Sequence, residues 1–169
     1  MIETAYIAGI FDGEGWITIS KWENAQRKRT EYAPNYVRLQ LIVGIANSHL
    51  PLMENIHAQL GGNLFQNDSA FRKNPKNRIC YHWRVSSGKA ADFLKQILPH
   101  LIAKRDEAIL AIELQQHITE NIGVLKYHPE RSQELYSFRQ NLTDQIKLLK
   151  KRRFAPLVNG DAQITKIVQ

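Results

Sequence analysis

Residues 5–15, AYIAGIFDGEG, form an apolar run with several small side chains that ends in two carboxylates separated by glycine. Thr4 can cap the start of a helix, and residues 5–12 fill about two turns of it. The glycines that follow let the backbone turn sharply. The sequence therefore predicts a short helix that ends at a tight turn, with Asp12 and Glu14 at its C-terminal end.

The C-terminal end of such a helix attracts cations. The last carbonyl oxygens have no partners within the helix, and the negative end of the helix dipole lies there. Together with the Glu14 carboxylate, these oxygens make a site that suits a hard divalent cation. The alternative is a helix closed by a glycine cap, with Asp12 and Glu14 in solvent.

Small residues form a stripe along this helix, at Ala5, Ala8, Gly9 and Gly13. Such a stripe lets a second helix approach backbone to backbone. If the second helix is a symmetry copy, two Glu14 carboxylates lie side by side, as in a two-metal phosphodiesterase site.

The composition favours a basic protein with an anionic partner. The chain has 169 residues, a net charge of +7 and an isoelectric point of about 9.6, which is typical of nucleic-acid binding but does not require it. No linker rich in Gly, Ser or Pro divides the chain, so we expect one domain at 1–153 and a polar tail at 154–169.

The expected cellular setting and cofactor use rest on features that the sequence lacks. Cys80 is the only cysteine, which excludes an intrachain disulfide and favours a reducing compartment. The longest uncharged stretch, 39–53, is too polar to span a bilayer, and no nucleotide-binding glycine loop is present. We expect a protein of the cytoplasm or an organelle matrix, with no membrane segment and no organic cofactor.

Alternating apolar and polar residues predict four strands, at 16–22, 37–46, 63–67 and 78–86. Helical patterns follow Ser48, which can cap a helix closed by Gly61 and Gly62, and recur at 89–98, 103–118 and 132–153. Polar loops are predicted at 23–35 and 68–77. The predicted order is αββαββα followed by further helices.

Residues 7–15, IAGIFDGEG, resemble the signature of the LAGLIDADG homing endonucleases. Ala8, Gly9, Asp12 and Gly15 match the signature letter for letter. Glu14 stands where the family has its metal-binding acid, which is usually aspartate. The resemblance covers about residues 4–120.

The resemblance implies an α/β (α+β) fold in which a saddle-shaped antiparallel sheet lies on double-stranded DNA, with the helices on its other face. A single copy of the motif implies a homodimer. The implied activity is Mg²⁺-dependent (or Mn²⁺-dependent) cleavage of both strands at a long pseudo-palindromic site, with 3′ overhangs, in the service of intron or intein homing.

The resemblance also implies roles for individual residues. Glu14 and the Gly13 carbonyl would hold the metal, Lys104 would lie near the attacking water, and Asn47 would orient a water. Asp12 would brace helix ends rather than bind metal. The dimer interface would consist of Ala5, Ala8, Gly9 and Asp12. Without the resemblance, Lys104 is an ordinary surface lysine and Asn47 a turn residue.

Long polar or basic side chains alternate with the core positions of the strands, where they can read base edges in a major groove while loop cations hold phosphates. The candidates on the strands are Thr18, Ser20, Trp22, Arg38, Gln40, Gln66, His82 and Arg84. Further candidates are Arg27, Lys28 and Arg29 in the first loop, and Lys150 and Arg152 in the last helix. The alternative for each is an ordinary solvated position.

Two other functions remain compatible with the sequence. One is an intron-encoded RNA maturase on the same fold, which retention of Glu14 disfavours. The other is a non-cleaving DNA-binding protein in which the acidic residues are structural.

Overall fold

The computed structural model describes residues 1–23, 37–122, 124 and 131–153. In chain order the elements are α1 (Thr4–Glu14), β1 (Gly15–Glu23), β2 (Val37–Asn47), α2 (Leu50–Leu60), β3 (Asn63–Asn67), α3 (Ser69–Lys73), β4 (Cys80–Ser86), α4 (Gly88–Ile97), a 3₁₀ turn (Leu98–His100), α5 (Arg105–Glu120) and α6 (Ser132–Arg153). Apart from the short α3, this order confirms the predicted αββαββα arrangement followed by further helices.

The helix starts differ from those predicted. Glu3, not Thr4, is the N-cap of α1, and its side chain makes no capping hydrogen bond. At α2 the cap is His49 rather than Ser48, because the His49 Nδ1 accepts a hydrogen bond from the Leu52 N–H at 3.2 Å. The predicted closure of α2 by glycine is confirmed, since Gly61 has a positive φ of 64°.

The predicted loop at 68–77 contains α3. Asn67 Oδ1 accepts hydrogen bonds from the Ser69 N–H at 3.1 Å and the Ser69 hydroxyl at 2.6 Å, which starts the turn. An ion pair of 2.8 Å between Arg72 Nε and Asp68 Oδ2 supports it one turn later. These local contacts explain why a polar segment forms a single helical turn here.

The described strands form an antiparallel sheet in the order β1-β2-β4-β3. The register pairs Ile17 with Val43 and Ile45 with Trp83, so apolar residues of three strands share one face. Paired residues of antiparallel strands project to the same side. The helices cover this face, which we call the core face, and we call the opposite one the open face.

The core face holds α1 against the sheet. Ile17, Leu41, Ile45 and Trp83 are fully buried, as are Ile7, Ala8 and Phe11 of α1. The Phe93 ring of α4 makes edge contacts with the rings of Phe11 and Trp83, at centroid distances of 5.3 and 4.9 Å. Large buried side chains of this kind each contribute about 1.5–3 kcal/mol. The C-terminal end of α1 is therefore fixed at one end of the sheet.

The last helix packs against α5, and its Ile146 belongs to the same core. Arg139 of α6 is buried and its Nε donates to His117 Nδ1 of α5 at 3.3 Å. Burial, followed by the positive charge of Arg139, lowers the pKa of His117. Among the helices described, none combines the length and the apolar character that crossing a membrane requires.

Candidate active site and nucleic-acid interface

Glu14 is the last residue of α1 and is exposed, immediately before β1 begins. The helix is two residues longer than the predicted 5–12 at its C-terminal end. Gly15 closes it by donating its N–H to the Phe11 carbonyl. A Cβ at position 15 would lie 2.5 Å from that carbonyl oxygen, so only glycine allows this junction. The sharp exit thus presents Glu14 at the end of the sheet.

Asn47, the last residue of β2, holds the Glu14 side chain. Its Nδ2 donates to Glu14 Oε2, while its Oδ1 accepts from the His49 N–H at 2.7 Å. Asn47 therefore serves the turn before α2 and orients the carboxylate at the same time. The predicted turn role is confirmed, whereas the orientation of a water by Asn47 stays a prediction.

Asp12 joins the end of α1 to the segment that leads into α5. Its Oδ2 accepts from the N–H groups of Ile102 and Ala103 at 2.7 and 3.1 Å, and its Oδ1 accepts from the Lys104 N–H at 3.0 Å. A carboxylate that accepts several backbone N–H groups at a helix start is stabilising. The predicted brace between helix ends is confirmed.

Lys104 lies beneath the end of α1 and not on the surface. It is only 4% exposed, and its ammonium donates to the Asp12 carbonyl and lies 5.9 Å from the centroid of the Phe11 ring. Its reading as an ordinary surface lysine is wrong. The positive charge complements the negative end of the α1 dipole, two residues before Glu14.

Cys80 is a neighbour of this site that the sequence did not reveal. Burial raises the pKa of the Cys80 thiol, and the negative charge of Glu14 raises it further. Cys80 opens β4, beside the Tyr81 that pairs with Asn47. Only the strand register brings it close to α1, and a single sequence carries no signal for that.

The oxygen atoms at the end of α1 fit a hard divalent cation, because the exposed Glu14 carboxylate and the exposed Gly13 provide only oxygen ligands. Within the described part of the chain, no three His, Cys, Asp or Glu side chains are grouped to hold a metal. Among the described residues at this end of α1, Asp12 accepts hydrogen bonds from backbone N–H groups, and Glu14 is the exposed carboxylate that a cation could meet.

The two sides of α1 differ in packing. Ala5, Gly9 and Gly13 are exposed, and a Cβ added to either glycine would meet no described atom within 4 Å. Ala8 is fully buried in the subunit's own core, so its prediction as an interface residue is wrong. The reason is the helical period, which places position 8 on the inner side with Phe11. We call Ala5, Gly9 and Gly13 the outer stripe.

The open face carries most of the predicted base-reading residues. The register places together Thr18, Ser20, Trp22, Arg38, Gln40, His82 and Arg84. Trp22 is 61% exposed at the far end of β1. Gln40 is also tied within the chain, since its Nε2 donates to Ser87 Oγ at 3.2 Å.

Gln66 does not belong to this group. It pairs with Tyr81, and its neighbour Leu64 pairs with Trp83, so Gln66 shares the core face. The open face instead receives Phe65, which pairs with His82. The short strand NLFQN has no clear alternation of its own, so its facing depends on pairing with β4.

Trp16 is a further open-face residue that was not predicted as a contact. It pairs with Gly44, and a Cβ on Gly44 would lie 2.5 Å from Trp16 Cζ2. The indole therefore crosses β2 where that strand has no side chain. A glycine opposite a tryptophan within an alternating strand is the sequence signal for this contact.

The remaining side chains predicted to bind DNA are the basic residues of the first loop and of the last helix. The ammonium of Lys150 donates to the Ile17 carbonyl of β1, a contact within the chain. The predicted clamp of the last helix on the DNA backbone stays a prediction. Arg27, Lys28 and Arg29 lie outside the described residues, as does the side chain of Arg152.

The chain belongs to the LAGLIDADG endonuclease family, because the family model with that description matches residues 7–104. This range begins with the motif of α1 and ends at Lys104, and so includes Glu14 and Asn47. Membership confirms the family, the fold and the endonuclease class expected from the sequence. A comparison with curated protein sequences found no match.

Solved structures of homing endonucleases share the fold. One is I-CvuI in complex with the I-CreI target in the presence of Mg, with 16% identity, a TM-score of 0.61 and coverage of 95% of this chain and 84% of that one. Another is the archaeal intron-encoded I-Vdi141I complexed with DNA, with 18% identity, a TM-score of 0.52 and coverage of 88% and 96%. A third is I-GzeII in complex with its DNA target, with 14% identity, a TM-score of 0.63 and coverage of 100% and 54%.

Proposed function

We propose that the protein is a homodimeric, site-specific endonuclease that cuts both strands of DNA by hydrolysis with Mg²⁺ or Mn²⁺. The observation that carries this proposal is the position of Glu14, exposed at the end of the outer stripe and oriented by Asn47. Two solved homing endonucleases of similar fold, I-CvuI and I-Vdi141I, are bound to DNA, and the I-CvuI complex was obtained in the presence of Mg.

The outer stripe supports the dimer. Glycine inside a helix is destabilising by roughly 0.5–1 kcal/mol relative to alanine. No described atom lies close enough to exclude a larger side chain at Gly9 or Gly13. A partner helix in close contact explains both. Two such helices related by a two-fold axis bring the two Glu14 carboxylates together, as a two-metal phosphodiesterase site requires.

The residues of the site divide the chemistry among them. Glu14 and the Gly13 carbonyl would hold the cation, Asn47 fixes the carboxylate, and Lys104 adds buried positive charge beneath the C-terminal end of α1. A cation held there would supply polarisation of the phosphate and activation of water. Positive charge already in place favours the negative charge that develops as the phosphate is attacked.

The two-fold symmetry predicts a pseudo-palindromic target, with each open face reading one half-site. By family precedent, we propose staggered cuts with 3′ overhangs and a role in the homing of an intron or intein.

The test begins with the intact protein selecting its target from a randomised duplex library. The selected site is placed in a supercoiled plasmid, and cleavage is followed with Mg²⁺, with Mn²⁺ and with EDTA. Glu14→Gln should lower the cleavage rate about a hundredfold or more, because metal assistance is worth several kcal/mol. Binding of the site should remain.

The matched control is Glu54→Gln, an exposed carboxylate on α2, which should cleave like the parent. Unchanged cleavage by Glu14→Gln would refute the role of this residue. Selective binding without any cleavage by the parent protein would identify a DNA-binding protein instead. Preferential binding of structured intron RNA would favour the maturase.

A further inference from the structure

Three side chains of the open face form a contact group at the β3 side of the sheet, which we call the Phe65 cluster: Phe65, His82 and Arg84. The rings of Phe65 and His82 are stacked, with centroids 5.3 Å apart and planes inclined by 25°. The Arg84 guanidinium carbon lies over the Phe65 ring, 5.1 Å from its centroid. Asn67 Nδ2 lies 3.4 Å from His82 Nε2, on the same face.

This cluster is separate from the hydrophobic core. Phe65 is 40% exposed and Arg84 is exposed, on the face opposite the helices. A phenylalanine at this degree of exposure on an edge strand gains only part of the stabilisation of a buried ring. On the open face, the Phe65 ring instead contacts the His82 imidazole and the Arg84 guanidinium.

We propose that Phe65 is a positioning residue that holds Arg84 ready to read a guanine in each half-site of the DNA target. This inference rests on the proposed function. The free arginine side chain has many conformers, and ordering it on binding costs free energy. A guanidinium already held over an aromatic ring has lost part of that freedom before DNA arrives.

The choice of guanine follows from donor geometry. The guanidinium presents parallel N–H donors, which match the O6 and N7 acceptors of guanine in the major groove. On the same face the His82 ring stacks on Phe65, and Asn67 contacts His82 in turn. A contact to phosphate, in contrast, would add affinity without sequence preference.

The experiment measures base preference position by position. The parent protein first selects its site from a randomised duplex library, and competition binding then compares all single-base substitutions of that site. Arg84→Ala should lose a guanine preference of roughly tenfold at one position per half-site. Phe65→Ala should lower the preference at the same position by several-fold and leave the other positions unchanged.

The double variant Phe65→Ala/Arg84→Ala separates positioning from general damage. If Phe65 acts through Arg84, the double variant should show no further loss at that position beyond Arg84→Ala alone. Phe65→Leu keeps apolar bulk on the edge strand without the aromatic ring, and should resemble Phe65→Ala in base preference. Phe71→Ala, at 39% exposure on α3, is the matched control and should keep the full profile.

The outcomes distinguish this inference from the proposed function. If the parent selects and cuts a site but Phe65→Ala retains the guanine preference, the positioning role is wrong and the endonuclease stands. The same conclusion follows if Phe65→Ala lowers affinity equally at every position. If the parent selects no site, the proposed function fails, and the positioning role fails with it.

Discussion

The inner side of α1 packs against its own subunit, whereas the outer side meets no described residue of that subunit. On the inner side, Ile7 and Phe11 are fully buried, and Asp12 binds three backbone N–H groups of its own chain. On the outer side, Gly9 and Gly13 face open space among the described residues. Packing within the subunit thus accounts for the residues on the inner side. It does not account for the glycines on the outer side.

The largest effect is expected on the inner side, from Asp12→Ala. The substitution leaves three N–H groups without their charged acceptor, so the free energy of unfolding should fall by about 3 kcal/mol. Urea denaturation checks this. Asp92→Ala, which removes an exposed carboxylate from α4, should change the value by no more than about 0.5 kcal/mol. Equal effects of the two substitutions would contradict the brace.

A smaller loss is expected from Gly15→Ala at the helix exit. The new Cβ would lie 2.5 Å from the Phe11 carbonyl oxygen, so the junction between α1 and β1 has to shift. Overpacking of this kind costs about 1–3 kcal/mol. Thermal and urea unfolding should both show the decrease, and cleavage should also fall because Glu14 moves with the junction. If the variant is as stable as the parent, the junction between α1 and β1 can accommodate a Cβ at position 15 at no cost in free energy.

The smallest effect, with opposite sign, is expected from Gly9→Ala on the outer side. At protein concentrations where the subunit is monomeric, the free energy of unfolding should rise by about 0.5–1 kcal/mol, because alanine favours the helix. The dimer should weaken at the same time, as measured by sedimentation equilibrium. Gly88→Ala, at the first residue of α4 with open space around it, should leave association unchanged.

A dimer that tolerates Gly9→Ala would break the comparison between the two sides. The outer stripe would then be an incidental feature of α1, and the proposed pairing of Glu14 carboxylates would lose its support. If Gly9→Ala abolishes the dimer but leaves the subunit as stable as the parent, the outer side of α1 serves association and not folding.

The sheet was largely predictable because its strands bury one face. In β2 the apolar residues Leu39, Leu41, Val43 and Ile45 alternate without interruption, and all are buried. The facing of Gln66 was not predictable, since β3 has five residues and takes its register from β4. Alternation determines facing only where a strand is long enough to show it.

The site was predictable only in part. The position of Glu14 follows from the local pattern of α1, and Asn47 and Lys104 were recognised through the family resemblance. The bond from the Ile102 N–H to Asp12 spans 90 residues, and no local pattern encodes a contact between segments so far apart. The burial of Lys104 follows from that contact, so a lysine that looks solvated in the sequence is enclosed in the fold.

The contact between Lys150 and the Ile17 carbonyl has a consequence for how copies of this chain can meet. β1 lies at the margin of the sheet, where unpaired backbone groups offer a template for another strand. An ammonium group bound at such a carbonyl opposes strand addition and, with it, aggregation through continuous sheets. The contact therefore disfavours the joining of two copies of the chain through the β1 margin.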